Sequence, residues 1–287
     1  MLVGGHVSTA GGLAKAYARG VEIGCDAIQV FNQSPRMWRP TRYSDDDFAE
    51  LRELLEAGPV RCVVIHAVYL INCASDDPEI REKSLTSLIH ALRVGDGIGA
   101  DGVVLHPGSR KQEQLEPALD RIGEALRHAL EESDRCPLLL ENTAGAGATI
   151  GRSFEELGAV IERAGGHERL GLCVDCCHAF ASGYDVRTAD GVAKAVDELE
   201  REVGRERLRC LHVNDSRVAL GSNRDRHARL PDGELGRGGL AAFLSEPRFE
   251  DLPALLEGGD GAGADAEQVA LARELRAQGL DARGELA

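Results

Sequence analysis

At 287 residues, 43% hydrophobic and only 4% aromatic, the chain can bury a full core made mostly of Leu, Val, Ile and Ala. A formal net charge of −15 argues against a nonspecific nucleic-acid coat, though it leaves room for a locally cationic cleft. No apolar run reaches the roughly 18 residues a membrane span needs, and the opening MLVGGHVS lacks the basic and apolar regions of a signal peptide. A soluble, cytoplasmic protein is expected.

Eight apolar runs follow along the chain, each stopping at a polar residue. Leu2 to Gly5 meets His6, Ala27 to Phe31 meets Asn32, Cys62 to Ile65 meets His66, and Val103 to Leu105 meets His106. Leu138 to Leu140 meets Glu141, Leu172 to Val174 meets Asp175, Leu208 to Leu211 meets His212, and Ala254 to Leu256 meets Glu257. Such continuous runs read as parallel strands buried on both faces. Successive end residues lie 26 to 45 positions apart, the spacing of strand-helix-strand units.

Helix signals fill the gaps. Phe48, Leu51, Leu54 and Leu55 repeat at helical spacing. Asp77-Pro78 reads as an N-cap with proline at the first helical position, ahead of Ile80, Leu85, Leu88, Ile89 and Leu92. Ser153 to Glu156 reads as a capping box. The pattern predicts a single-domain α/β fold, a (β/α)8 TIM barrel over residues 1–287. The active site of such a barrel lies at the carboxyl ends of its strands, so His66, His106, Glu141, Asp175, His212 and Glu257 should share one rim. His90, His128 and His167, in or beside helical segments, read instead as solvated.

Two features extend the rim. His178 follows Asp175 at i+3, which can turn both side chains to one side. Asp225-Arg226-His227 could clamp an ion in extended geometry, within a polar stretch from Asn214 to about Gly239 that has no apolar period. These nine nitrogen and oxygen donors are too many for one tetrahedral catalytic zinc and suit two or three divalent ions with a bridging carboxylate. Three such ions and four carboxylates leave a balance that a phosphodiester and a hydroxide would complete. The cationic surface of an acidic protein would then be largely metal.

The stretch LCVDCCHAF also holds Cys173-x-x-Cys176, half of a structural zinc site or a redox pair. No second such pair exists, and Cys173 falls inside a strand run rather than at an exposed turn. The eight cysteines are scattered and mostly sit in apolar runs, so they read as reduced thiols that pack as small hydrophobes.

These residues resemble the endonuclease IV family of apurinic/apyrimidinic endonucleases, within the xylose isomerase-like barrels. The likeness runs through GGHVSTAGG (4–12), HAVYLIN (66–72), LHPGS (105–109), ENTAGAG (141–147), VDCCHAFASGYD (174–185), LHVNDS (211–216) and DRH (225–227). It implies a monomeric enzyme with three metals, usually zinc, with manganese or iron in part. Such an enzyme hydrolyses the phosphodiester 5′ of abasic sites in double-stranded DNA through a metal-bound hydroxide, and removes 3′ blocking groups.

By motif, His66, His106 and bridging Glu141 would hold one ion. Glu141, Asp175, His212 and Glu257 would hold the second, and His178, Asp225 and His227 the third. Glu141 and Glu257 would act in catalysis, Glu257 by orienting the water. Arg36 and Tyr69-Leu70 match positions that wedge into DNA as the abasic nucleotide flips out, and Arg226 could meet a phosphate.

The chain departs from the family at Gly258-Gly259, where Thr and often Pro follow the glutamate, and at Ala228, where a second His is common. Residues 258–264 read as flexible, before a last helix over about 265–278. The main rival is a metal-dependent sugar isomerase or epimerase on the same barrel type. Such an enzyme has no need of His178, Asp225 and His227.

Overall fold

The computed structural model describes residues 1–259 and 263–284. Strands β1 (Leu2–His6), β2 (Ala27–Phe31), β3 (Cys62–His66) and β4 (Gly102–Leu105) alternate with helices α1 (Leu13–Glu22), α2 (Asp45–Ala57) and α3 (Pro78–Ile98). Then come α4 (Leu115–Glu131), β5 (Leu138–Glu141), α5 (Phe154–Arg163), β6 (Leu170–Asp175), α6 (Cys176–Ser182) and α7 (Ala189–Glu202). β7 (Leu208–His212) leads into a ribbon of two-residue strands, β8 (Asp215–Ser216) and β9 (His227–Ala228). The chain ends with α8 (Gly236–Leu244), β10 (Pro253–Leu256) and α9 (Ala266–Arg283).

The expected barrel forms. Eight parallel strands close in the order β1-β10-β7-β6-β5-β4-β3-β2, and they are the eight apolar runs. Ala27, Cys62, Val64, Val104, Leu139, Cys173, Cys210 and Leu255 fill the inside of the barrel. The alternate strand residues, among them Val63, Ile65, Val103, Leu138 and Leu140, belong to the larger core shared with the surrounding helices. Burial on both faces is why these strands read as unbroken apolar runs. Gly4 lets β1 close against β2, since a Cβ there would stand 1.7 Å from the Ala27 carbonyl oxygen.

The helix starts refine the sequence reading. Asp77 caps α3 as expected, accepting from the main-chain N–H groups of Glu79 and Ile80. At α5 only half of the predicted capping box forms. Ser153 Oγ accepts from the N–H of Glu156, but the Glu156 carboxylate turns to the N–H groups of Gly151 and Arg152. The complete box lies at α2, between Ser44 and Asp47. Among the helix histidines, His128 is exposed but His90 is not the solvated group expected. It is half-buried, its Nε2 has no hydrogen-bond partner, and burial lowers its pKa.

Within the stretch read as flexible, residues 260–262 lie outside the described residues. On either side of them, a Cβ on Gly259 would stand 2.6 Å from the Arg229 nitrogen, and the Ala264 N–H donates to the His6 carbonyl. The last helix runs on to Arg283.

Candidate metal centre

The strand ends carry their polar residues onto one rim. His66, Glu141, Asp175 and His212 are the last residues of β3, β5, β6 and β7, and His106 and Glu257 directly follow β4 and β10. Glu141, Asp175 and His212 are fully buried and His66 nearly so. All nine predicted donors converge in three groups, each with ligand atoms within 4.8 Å of one another. One comprises His66, His106 and Glu141. The second comprises Glu141, Asp175, His212 and Glu257, and the third His178, Asp225 and His227.

In the third group, His178 Nε2 lies 3.3 Å from Asp225 Oδ2 and 3.4 Å from His227 Nε2, which lies 3.2 Å from Asp225 Oδ1. Two donors at usual zinc distances and a tetrahedral angle stand about 3.4 Å apart, so this triangle fits one ion. In the first group Glu141 Oε2 is buried without a hydrogen bond of acceptable geometry, although His106 Nε2 is 2.9 Å away and His66 Nε2 3.4 Å. A buried acceptor left in that state is what an ion would satisfy.

The rings are aimed from behind. His66 Nδ1 donates to the Ala67 carbonyl at 2.6 Å and His178 Nδ1 to the Asn142 carbonyl at 3.0 Å. A carbonyl only accepts, so the proton sits on Nδ1 and Nε2 faces the centre. His212 is turned the other way. Its Nε2 donates to Gln29 Oε1 at 2.7 Å, leaving Nδ1 3.0 Å from Glu141 Oε1. Gln29 is oriented in turn by Nε2, which donates to Glu257 Oε1 at 2.9 Å.

The carboxylates are supported in the same way. Asn214 Nδ2 donates to Asp175 Oδ2 at 2.6 Å and Glu257 Oε2 at 3.0 Å. Asp175 Oδ1 accepts from the His178 N–H and so caps α6. Gly258-Gly259 therefore leaves Glu257 within the centre, between Gln29, Asn214 and His212.

Burial would push the two glutamates up, yet the imidazoles hold both ionised. Glu141 lies well below the carboxylate range through His106 and His212, and Glu257 falls to about 2, chiefly through His212. Conversely, burial would lower the histidines, but Asp175 raises His178, and Glu257 with Glu141 raises His212. His6, the last residue of β1, is lowered to about 4 by burial. Protons here do the balancing that divalent cations would do.

Sequence reasoning missed Gln29, Asn142 and Asn214. Gln29 left a signal, a polar side chain inside the apolar run AIQVF, where burial demands partners. The cysteine motif does not act as a unit. Cys173 points into the barrel beside Cys210 and His212, whereas Cys176 Sγ contacts the Asn214 carbonyl at 3.1 Å. Cys177 lies near Asp175 and His227, with its thiol raised to about 12 by burial. All eight thiols are buried and free.

The centre opens into a cavity of about 380 Å³ lined by His66, Tyr69, His106, His178, Asp225 and Glu257, among others. Tyr69 is 61% exposed, its ring 5.1 Å from that of His66, whereas Leu70 is half-buried against the core. Arg36 and Arg226 are exposed on the β2–α2 and β7–α8 loops, and Arg226 Nη1 donates to the Asp225 carbonyl.

A closed barrel with imidazoles and carboxylates gathered over its carboxyl rim as candidate metal ligands defines the class, an enzyme of the (β/α)8 fold. Residues 17–277 match the family of xylose isomerase-like TIM barrels. The chain is 39% identical over 268 residues to a protein of Halothermothrix orenii named "Probable endonuclease 4", covering 93% of this chain and 96% of that one. A protein of the same name from Geotalea daltonii is 37% identical over 271 residues, 94% of this chain and 95% of its own. The crystal structure of endonuclease IV from Thermus thermophilus superposes with a TM-score of 0.83 at 37% identity, covering 97% of this chain and 98% of that one. A D-tagatose 3-epimerase-like protein shares the fold, with a TM-score of 0.71 at 18% identity and 98% of each chain covered. The chain belongs to the endonuclease IV family. As a member it is an endonuclease.

Proposed function

We propose that this endonuclease cuts double-stranded DNA on the 5′ side of abasic sites and trims blocked 3′ ends, using three divalent ions held by the nine rim donors. The observation that carries the reading is the His178–Asp225–His227 triangle beside a fully buried Glu141 whose carboxylate lies against histidines of all three groups, His106, His212 and His178. A sugar epimerase on this barrel has no use for that triangle. Zinc suits the imidazole–carboxylate set, with manganese or iron able to replace part of it. Bound there, the ions would supply Lewis-acid polarisation of the phosphate and activation of the attacking water.

The chain's own groups would do the rest. Glu141 would bridge the groups; Glu257, which lines the cavity, would orient the attacking water; and Gln29 and Asn214 hold Glu257 in place. Tyr69 would fill the stack vacated by the flipped nucleotide, with Leu70 and Arg36 flanking it, while Arg226 would meet a phosphate. Excess acidity elsewhere is compatible with this, because the cationic charge at the rim is carried by the ions. No described helix is long and apolar enough to cross a membrane. In this reading the protein works on the genome as a monomer in the cytoplasm.

Elemental analysis of protein purified without chelator, paired with cleavage of an abasic duplex, tests the reading. About three ions per chain and chelator-sensitive incision 5′ of the lesion are expected. One ion, or epimerisation of a free sugar without incision, would overturn it.

A further inference from the structure

Asp215 stands outside all three donor groups, yet its carboxylate is fully buried and accepts four main-chain hydrogen bonds. Oδ1 takes the N–H of Ser216 at 2.7 Å and of Leu235 at 2.9 Å, and Oδ2 the N–H of Gly233 at 2.9 Å and of Gly236 at 3.2 Å. One side chain thus joins the point where the chain leaves β7 to the point where it enters α8. The returning segment is shaped to reach it. A Cβ on Gly233 would stand 2.4 Å from Asp215 Oδ1, and Gly236 has a φ of +59°.

Between the joined ends lie Asp225 and His227. The β8–β9 ribbon pairs Ser216 with His227, and the Arg217 N–H donates to the Arg226 carbonyl at 2.9 Å. The middle of the loop rests on α6 through the Gly221 N–H to the Phe180 carbonyl and the Asn223 N–H to the Ala181 carbonyl. Neither contact holds the loop's two ends together; the Glu234 N–H, which donates to the Ser216 carbonyl at 2.7 Å, joins them beside the four bonds to Asp215.

We propose that Asp215 is a positioning residue, whose carboxylate clasps the 216–236 loop shut and so sets Asp225 and His227 against His178. The metal part of this inference rests on the three-ion reading; the clasp itself does not. A carboxylate is needed because an amide offers one accepting oxygen, and its NH2 would face two buried N–H donors. Asp215→Asn should therefore open the loop without disturbing the strands.

The test is hydrogen–deuterium exchange on chelator-stripped protein, followed by zinc analysis after reloading. Asp215→Asn should raise exchange across residues 217–236 by about tenfold or more, with barrel strands unchanged, and should lose one zinc per chain relative to wild type. Asp225→Ala should lose the same zinc with the loop ends still protected. Should Asp215→Asn fail to fold, Asp215→Ser, which keeps a small polar side chain but removes the carboxylate that takes four main-chain N–H groups, decides the matter by the same two readouts. Wild-type exchange across the loop in the variant that folds would overturn the proposal, as would loss of every ion together with strand protection. If wild-type protein binds one ion or leaves an abasic duplex uncut, the functional reading fails while the exchange comparison still decides the clasp.

Discussion

The strand ends and the β7–α8 loop both bring donors to the same centre, but they are held in place by different means. His66, Glu141, Asp175 and His212 sit in the barrel ladder, where Glu141 pairs with Cys173, Asp175 with His212 and Phe31 with His66. An error at one of these positions is resisted by strands on both sides. Asp225 and His227 have a two-residue ribbon and a few main-chain contacts to α6 beside them, and depend on hydrogen bonds reaching across the loop. The first set inherits its accuracy from the core, and the second depends on local polar contacts, the less stable arrangement. Ions held mainly by the loop should accordingly be separable from ions held by the strands.

Mutation can break or sharpen that contrast. Glu141→Gln strikes the strand-held side where all groups meet, and should lower incision of an abasic duplex by roughly 10³-fold or more while reducing total metal. Full activity would remove Glu141 from the centre. Asp225→Ala strikes only the loop. It should lower incision by roughly 10²-fold and zinc by one per chain, and equal loss of all ions would erase the distinction between the regions.

Gln29→Leu removes the acceptor behind His212 and the donor to Glu257. Metal affinity should fall by about 10- to 100-fold in competition with a chromophoric chelator, with the loop-held ion affected least. Cys176→Ser should leave metal content and incision near wild type. Consistent with that, thiol reagent should find almost none of the eight cysteines in native protein up to about pH 9. Burial raises Cys25 to about 11 and Cys73, Cys136 and Cys177 to about 12, so the reactive thiolate is scarce below those values. All eight should react on unfolding.

The barrel was legible because a strand buried on both faces needs an unbroken apolar run, and each run stopped where the chain reached the rim. The donors were legible for the same reason. Asp225 and His227 could be picked out only because the rim already read as a metal site.

What escaped were pairings between distant residues. Gln29 looked like a strand residue until His212 and Glu257 stood beside it, 183 and 228 positions further on. Asp215 was one polar residue among many in the stretch from Asn214 to Gly239, and only the fold brings Gly233 to it. Ser153 and Glu156 had the right spacing for a box, but the loop before α5 offered the carboxylate two nearer donors. His90 lay in a helical segment, yet the β2–α2 loop, with Trp38, Pro40 and the Thr41 main chain, lies beside it and half buries it.

The hydrogen bonds behind His66, His178 and His212 have a kinetic side. Each ring is pinned through one nitrogen to an oxygen of the barrel, so neither a ring flip nor a tautomer change is needed when an ion arrives. The search over orientations is completed during folding and need not be repeated at each loading. An ion lost from such a centre leaves its shape behind, and the next one enters a mould already set.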